Sequence, residues 1–194
     1  GFVAQALTES ATGTTEDVID LARTNPTILI SVGGGQLGHD LLDAVVAASP
    51  ILAARLPEYH LQVFTGPFIP IDRFQALESA AVGQNNLTLR KFTTQFLTYM
   101  HKAKLSISLG GYNTTMNILR TGVNSMILPS NKDWEQTVRA EKLERMGMLT
   151  MLQSEDLQPE QFADKIVRAI EKQHTPKLDK SFDLDGAEKT KIAI

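Results

Sequence analysis

Two glycine-rich turns and one polar helix start carry the residues best suited to chemistry. The first turn is Val32-Gly33-Gly34-Gly35-Gln36-Leu37-Gly38, and the second is Ser108-Leu109-Gly110-Gly111-Tyr112-Asn113-Thr114-Thr115. Residues without side chains let a ligand come close to the main chain. A helix that starts there adds unpaired N–H groups and the positive end of its dipole, so each turn suits an anion such as a phosphate. In the second turn the hydroxyls of Thr114 and Thr115 are further donors. An explanation without any ligand serves it equally well: Asn113 or Thr114 is an N-cap that satisfies the orphan N–H groups. The third stretch, Pro129-Ser130-Asn131-Lys132-Asp133-Trp134-Glu135-Gln136-Thr137-Val138-Arg139-Ala140, holds the only tryptophan. Its Glu135-Gln136 pair can bond several hydroxyl groups, as a sugar requires. It reads also as an acidic first turn set against a helix dipole.

Other patterns carry less. Gly33, Gly35 and Gly38 fit G-x-G-x-x-G, but a dinucleotide site wants an acid at the end of the next strand to hold the ribose. That strand ends Val63-Phe64-Thr65-Gly66-Pro67, with no acid, so a nicotinamide or flavin enzyme is not expected. A tight turn alone explains one or two glycines of the run better than three. The pair Asp183-Leu184-Asp185 has the D-x-D form of a metal site, yet it lies in a polar tail away from any strand end, and no metal site is expected. Of the four histidines His39, His60, His101 and His174, only His39 falls at a candidate turn, where a solvated or capping role is expected. No catalytic residue is assigned.

The elements that must position these turns follow from periodicity. Short β-branched or aliphatic runs at 27–32, 60–65, 87–89, 105–108, 125–128 and 149–151 read as strands. Between them, amphipathic helices are expected over 38–49, 72–81, 94–102, 113–120 and 133–146, with a last one from Pro159 to about Lys172. Pro50 marks a break, although the apolar pattern resumes as far as Leu56. Six strands separated by helices imply right-handed crossovers. The fold class is therefore α/β, a doubly wound, mostly parallel, six-stranded Rossmann-like sheet with helices on both faces. Residues 1–26 form a linker with a leading helix over 14–25, in which Thr14 and Asp17 have capping-box spacing. Residues 27–173 form the main domain, and residues 174–194 a polar tail.

Composition narrows the function classes. The 194 residues carry a formal charge of −3, which argues against nucleic acid as a partner. No apolar run approaches the roughly 20 residues of a membrane span. The absence of cysteine excludes disulfides and thiolate chemistry.

In this order and spacing, the three stretches resemble the C-terminal, donor-binding domain of GT-B glycosyltransferases over about residues 27–170. The likeness is to family 28, which includes the bacterial UDP-N-acetylglucosaminyltransferase of peptidoglycan precursor synthesis. The carrying pieces are the Gly-Gly-Gly-Gln turn, the aromatic-containing segment at Phe92, the second glycine turn, and the block from Pro129 through Gln136 and Arg139-Ala140 to Gly147. The resemblance implies that Gly34, Gly35 and Gln36 line the cleft near the sugar and diphosphate. It implies that the backbone at Phe92 and Thr93 reads the nucleobase edge, and that Gly110, Gly111, Asn113 and Thr114 hold the diphosphate. Glu135 and Gln136 would bind hydroxyls of the transferred sugar. The family commonly has a glutamate for the ribose hydroxyls where this chain has Asn117, and an amide loses the charge-assisted bond.

The activity so implied is transfer of a hexosyl group from an NDP-sugar, with UDP the expected nucleotide, without a metal or other cofactor. The base and the acceptor, including a membrane-borne lipid, would belong to an N-terminal domain. Gly1 in place of methionine, and a length about half that of a bilobed enzyme, fit a C-terminal half that binds donor and alone transfers nothing. The expected location is the cytoplasm, including the inner face of the membrane. A non-hydrolysing nucleotide-sugar epimerase and a non-catalytic nucleotide-binding module are the alternatives.

Overall fold

Aliphatic runs bounded by glycine, proline and asparagine become strands, and the amphipathic stretches between them become helices. The computed structural model describes residues 13–130 and 133–172. The strands are β1 (Thr27–Ser31), β2 (His60–Phe64), β3 (Leu87–Arg90), β4 (Leu105–Leu109), β5 (Ser125–Leu128) and β6 (Thr150–Met151). The helices are α1 (Thr15–Leu21), α2 (His39–Arg55), α3 (Ile71–Ala80), α4 (Phe96–Lys102), α5 (Tyr112–Thr121), α6 (Trp134–Arg145) and α7 (Pro159–Glu171), with a short 3₁₀ turn at Ser154–Leu157. The sheet order is β3-β2-β1-β4-β5-β6 and every pairing is parallel, where the sequence led us to expect a mostly parallel sheet. The register sets Ile28 of β1 between Leu61 and Leu105. The pair Asp183 and Asp185 lies outside the described residues, as does the polar tail from 174 onward.

The two faces of the sheet differ in chemistry. On one face Ile28, Ile30, Leu61, Val63, Leu105, Ile107, Met126 and Leu128 pack with α2 and α7, through residues such as Leu41, Leu42, Val45, Phe162 and Ile166. On the other, Leu29, Phe64 and Ile127 meet Tyr99 and Met100 of α4, Ile118 and Leu119 of α5, and Leu143 of α6. Under β2 and β3 this second face turns polar, presenting His60, Gln62, Thr88 and Arg90. The helix packed there is α1, and its chemistry is inverted to match. Asp17 and Asp20 face inward and are buried, while Val18 and Ile19 are 62% and 59% exposed. Asp20 accepts from Arg23 and from Arg90, both at 3.2 Å. The Nε2 of His60 lies 2.9 Å from Thr88 Oγ1. The expected capping box at Thr14 and Asp17 is present, but α1 stops at Leu21, short of the span to residue 25 that the sequence suggested.

The helix that contains Pro50 corrects the expected break. α2 runs unbroken from His39 to Arg55 through the proline. Proline has no N–H, so the carbonyl one turn earlier, that of Val46, loses its partner. A side chain replaces it: Gln84 Nε2 donates to Val46 O at 3.3 Å. Asn86 secures the same turn, donating from Nδ2 to Ser49 O at 3.0 Å and accepting from Ser49 Oγ at 2.9 Å. The loop before β3 thus carries the amides that make the proline tolerable.

Two outcomes follow from these contacts. Gln84→Ala strands a buried carbonyl and is expected to lower stability by about 1–2 kcal/mol in urea unfolding. His60 is held to a pKa of about 4, by burial first and by Arg23 second, against a smaller upward pull from Asp20. Between its ordinary value near 6.5 and about 4, the unfolded chain binds a proton that the folded one refuses. The stability tied to the neutral ring is therefore complete above pH 6.5 and lost as the pH falls toward 4. In His60→Gln the fall in unfolding free energy across that window should shrink by roughly 2 kcal/mol.

Candidate functional site

Parallel strands put every strand-to-helix turn at one edge of the sheet, and the strand order reverses between β1 and β4. A crevice opens at such a reversal, outside the carboxyl ends of the strands. Here it is a cleft of about 370 Å³. Ser31 and Gly33 line it after β1, Phe64 and Pro67 after β2, and Lys91, Phe92, Thr93 and Thr94 after β3. Phe96 of α4 and Asn113, Thr114 and Asn117 of α5 complete the lining. Lys91 is the one titratable residue among these, and among the described residues no carboxylate lines the cleft.

The start of α5 settles how its N–H groups are satisfied. Gly111 occupies the N-cap position and no side chain caps the helix. Asn113 and Thr114 lie inside the first turn, so neither is the cap that a ligand-free reading requires. The first N–H reaching back to the cap is that of Thr115, bonded to Gly111 O at 3.0 Å. The N–H groups of Asn113 and Thr114 find no protein acceptor, and their side chains and that of Asn117 form no protein hydrogen bond. The hydroxyl of Thr115 is not a free donor, because it bonds Gly111 O at 3.0 Å in a buried position. Among the seven helices, α4 and α5 alone have neither a side-chain cap nor an acid in the first turn. Both border the cleft.

The segment after β3 divides its work. Phe92 is 63% exposed, and no protein hydrogen bond reaches its N–H or its C=O. Thr93 is buried, and its hydroxyl donates to Asp17 Oδ1 at 2.8 Å while accepting from the Gln95 N–H at 2.9 Å. The phenol of Tyr99 donates to the same Asp17 oxygen at 3.0 Å. Burial pushes the Asp17 carboxyl upward, but the bonds from Thr93, Thr14 and Tyr99 together outweigh it and hold its pKa below the ordinary value.

The glycines separate by cause. A Cβ on Gly35 would stand 2.5 Å from Thr65 O and 2.9 Å from Ile69 N, and φ is +91° there. Its counterpart Gly66 would drive a Cβ into the main chain of Gly34 and Gly35. The two turns therefore need glycine in order to pack on each other, clamped further by the Phe68 N–H to Gly34 O bond at 2.9 Å. Gly34 differs, since a Cβ would make only ordinary contact with Phe68 at 3.6 Å. At Gly111 a Cβ would meet nothing within 4 Å, and φ is −59°. The fold makes no demand for glycine at either position.

The remaining expected residues do not line the cleft. Gln36 and Glu135 are exposed. Gln136, in the first turn of α6, turns its side chain back to the residues before the helix: its Oε1 accepts from the Ser130 N–H at 3.2 Å and its Nε2 donates to Asp133 Oδ2 at 3.0 Å. Asp133 caps α6, accepting from Glu135 N and Gln136 N. Gly110 is buried beside this loop, with Gln136 Oε1 3.1 Å from the place of its absent Cβ. The ring of His39 bonds Gly35 O at 3.0 Å, an anchor for the first turn. Ser31, Phe64, Lys91 and Phe96 line the cleft without having been picked out in the sequence. Their signal was positional, since each follows or ends an element at the edge where the strand order reverses.

With this geometry in place, comparison with known proteins is informative. The sequence matches the glycosyltransferase family 28 C-terminal domain over residues 27–192. The chain belongs to this family. No curated protein sequence matches it. Among solved structures, the family 28 domain is similar to MurG of Acinetobacter baumannii, with a TM-score of 0.67 and 17% identity over 91% of this chain and 52% of that one. It is similar also to the glycosyltransferase of kitacinnamycin, with a TM-score of 0.60 and 20% identity over 77% of this chain and 35% of the other. VinC, solved in complex with dTDP, gives a TM-score of 0.60 and 19% identity over 82% and 37%. The chain thus spans about half, or less, of the length of these proteins. Identities this low carry the fold, the six-stranded parallel sheet of GT-B C-terminal domains. Among the described residues, no helix is long and apolar enough to cross a membrane, and no three His, Asp or Glu residues cluster to hold a metal ion.

The two classes of glycine give opposite expectations for stability. Gly66→Ala should destabilise the domain by more than about 2 kcal/mol or prevent folding, since main chain cannot yield as a side chain does. Gly111→Ala should cost no more than about 1 kcal/mol, the penalty of alanine at an N-cap. Thermal unfolding of the two variants checks both.

Proposed function

We propose that the family 28 domain is the donor lobe of a hexosyltransferase and that its cleft takes the nucleoside diphosphate of an NDP-sugar, with UDP the nucleotide. The observation that carries this reading is the uncapped start of α5, whose Asn113 and Thr114 N–H groups have no protein acceptor beside a cleft without carboxylates. Fixed N–H donors at a helix N-terminus suit a diphosphate. Lys91 adds the only formal charge facing it among the described residues. The free N–H and C=O of Phe92 match one donor and one acceptor on a nucleobase edge, and the exposed ring beside them offers an apolar surface. Glu135 and Gln136, at the neighbouring helix start, serve the sugar hydroxyls, although Gln136 must then share an amide already engaged with Ser130 and Asp133.

In the proposed reaction the bond between the anomeric carbon and the diphosphate oxygen breaks. An acceptor hydroxyl attacks that carbon and gives up its proton. Negative charge grows on the departing diphosphate, where preoriented N–H groups act without reorganising. The acceptor and the base that takes its proton belong to a separate N-terminal domain in this reading, and the donor is the only small molecule it calls for.

Calorimetric titration of the chain with UDP and with UDP-, GDP- and dTDP-sugars is the direct test. Saturable binding of a UDP-sugar is expected, weakened roughly tenfold by Gly111→Ala, whose methyl would sit among the N–H donors, as one obstructed set of charge-assisted bonds implies. Absence of binding by every nucleotide sugar would overturn the proposal.

A further inference from the structure

The leading helix grips the cleft wall on both sides of Phe92. Arg90, the last residue of β3, is bound to α1 through Glu16 at 2.9 Å and Asp20 at 3.2 Å. Thr93 is bound to it through Asp17 at 2.8 Å. Between these two anchors lie Lys91 and Phe92, both in the cleft lining, and Phe92 has a free main chain. A capping box occupies only one carboxylate oxygen, and in Asp17 it uses Oδ2, which accepts from Thr14 N at 3.0 Å and Thr14 Oγ1 at 3.1 Å. The second oxygen, Oδ1, reaches across the fold to Thr93 and Tyr99. Tyr99 in turn packs edge-on against Phe64, with ring centroids 5.0 Å apart, and Phe64 packs against Phe96 at 6.0 Å. Both phenylalanines line the cleft. One carboxylate therefore holds a wall through Thr93 and a floor through Tyr99.

We infer that α1 is a positioning element of the cleft and Asp17 its positioning residue, fixing the Lys91–Phe92 main chain where a nucleotide is read. This rests on the cleft being the nucleotide site. A helix lying outside the repeating β/α units would then tune affinity without touching the ligand.

The test combines UDP titration with amide hydrogen exchange in the ligand-free protein. Asp17→Ala should weaken UDP binding about fivefold or more, the scale at which a supporting contact modulates a site. It should also speed exchange over residues 91–94. Thr93→Val, which keeps the shape and removes the hydroxyl, should have a similar effect, and the double variant should be little worse than either single one. Asp17→Asn keeps an oxygen for Thr93 and Tyr99 and should bind UDP nearly as well as the native chain. Gln84→Ala, which weakens the opposite face of the sheet, should leave UDP affinity within about twofold despite its lower stability.

The inference falls if Asp17→Ala binds UDP as the native chain does, or loses no more affinity than Gln84→Ala. Should Asp17→Ala fail to fold, Thr93→Val decides by the same criteria. If the native chain binds no nucleotide, the donor-lobe reading fails and this one with it. Native affinity that is unaltered in the variants overturns the positioning role alone.

Discussion

Every structural consequence here depends on one constraint, that six strands all run the same way. Parallel neighbours need a crossover, so each strand is followed by a helix or long connection, and all the strand-to-helix turns gather at one edge. Building outward from β1, first through β2 and β3 and then from β4 to β6, makes the chain leave that edge in opposite directions at β1 and β4. Among the described residues, nothing fills the gap between the departing segments. The cleft is thus a by-product of topology, and its lining is whatever residues follow β1, β2 and β3 and begin α4 and α5.

The same topology leaves an asymmetric sheet. The face under α2 and α7 is aliphatic, whereas the face under α1 carries His60, Gln62, Thr88 and Arg90. A helix with an ordinary apolar inner stripe would strand those groups without partners. α1 answers part of this by turning its acids inward, so that Asp20 meets Arg23 and Arg90 and Asp17 meets Thr93 and Tyr99, while the buried Gln62 Nε2 is left without a partner. Exposure of Val18 and Ile19 is the consequence of that choice. Polar groups buried in this way fix position more tightly than apolar contacts, because their bonds have direction.

How much of this could be read in the chain differs by level. Strand positions were legible, and β5 occurs at its expected residues, because buried parallel strands leave continuous aliphatic runs. The uninterrupted α2 was not, since the amides that replace the missing proline bond come from Gln84 and Asn86, more than thirty residues away. The cap of α5 was left open for a local reason: Asn113 and Thr114 are good capping types, yet the N-cap position falls on Gly111, one residue before the helix. The site was legible as turns and obscure as side chains. Phe92, Thr93, Asn113, Thr114 and Asn117 come together at the cleft, but nothing local marks Thr93 as bound to a residue 76 positions earlier. Nor did the sequence show that Gly35 answers to Gly66, because each glycine looks alike until the two turns are seen in contact.

The electrostatics of the two sheet edges complete the picture. At the helix C-termini a basic side chain answers the dipole in five of the seven helices, Arg55 on α2, Lys102 on α4, Arg120 on α5, Lys142 and Arg145 on α6 and Arg168 on α7, while α1 and α3 have none. At the opposite edge α2, α3, α6 and α7 carry an acid in the first turn, which answers the positive end of each dipole in the same way. The exceptions are α4 and α5, the two helices that border the cleft, and among the described residues Lys91 is the one charged side chain in its lining. Every other helix meets its N-terminal end with an acid or a side-chain cap, and these two lack both at the place where topology opens a gap. A diphosphate bound as proposed would supply the negative charge that these two helix starts lack among the described residues. Asn117, where the resemblance implies a ribose-binding glutamate, lines the cleft as a neutral amide, so that in the proposed site no carboxylate beside α5 opposes a bound diphosphate.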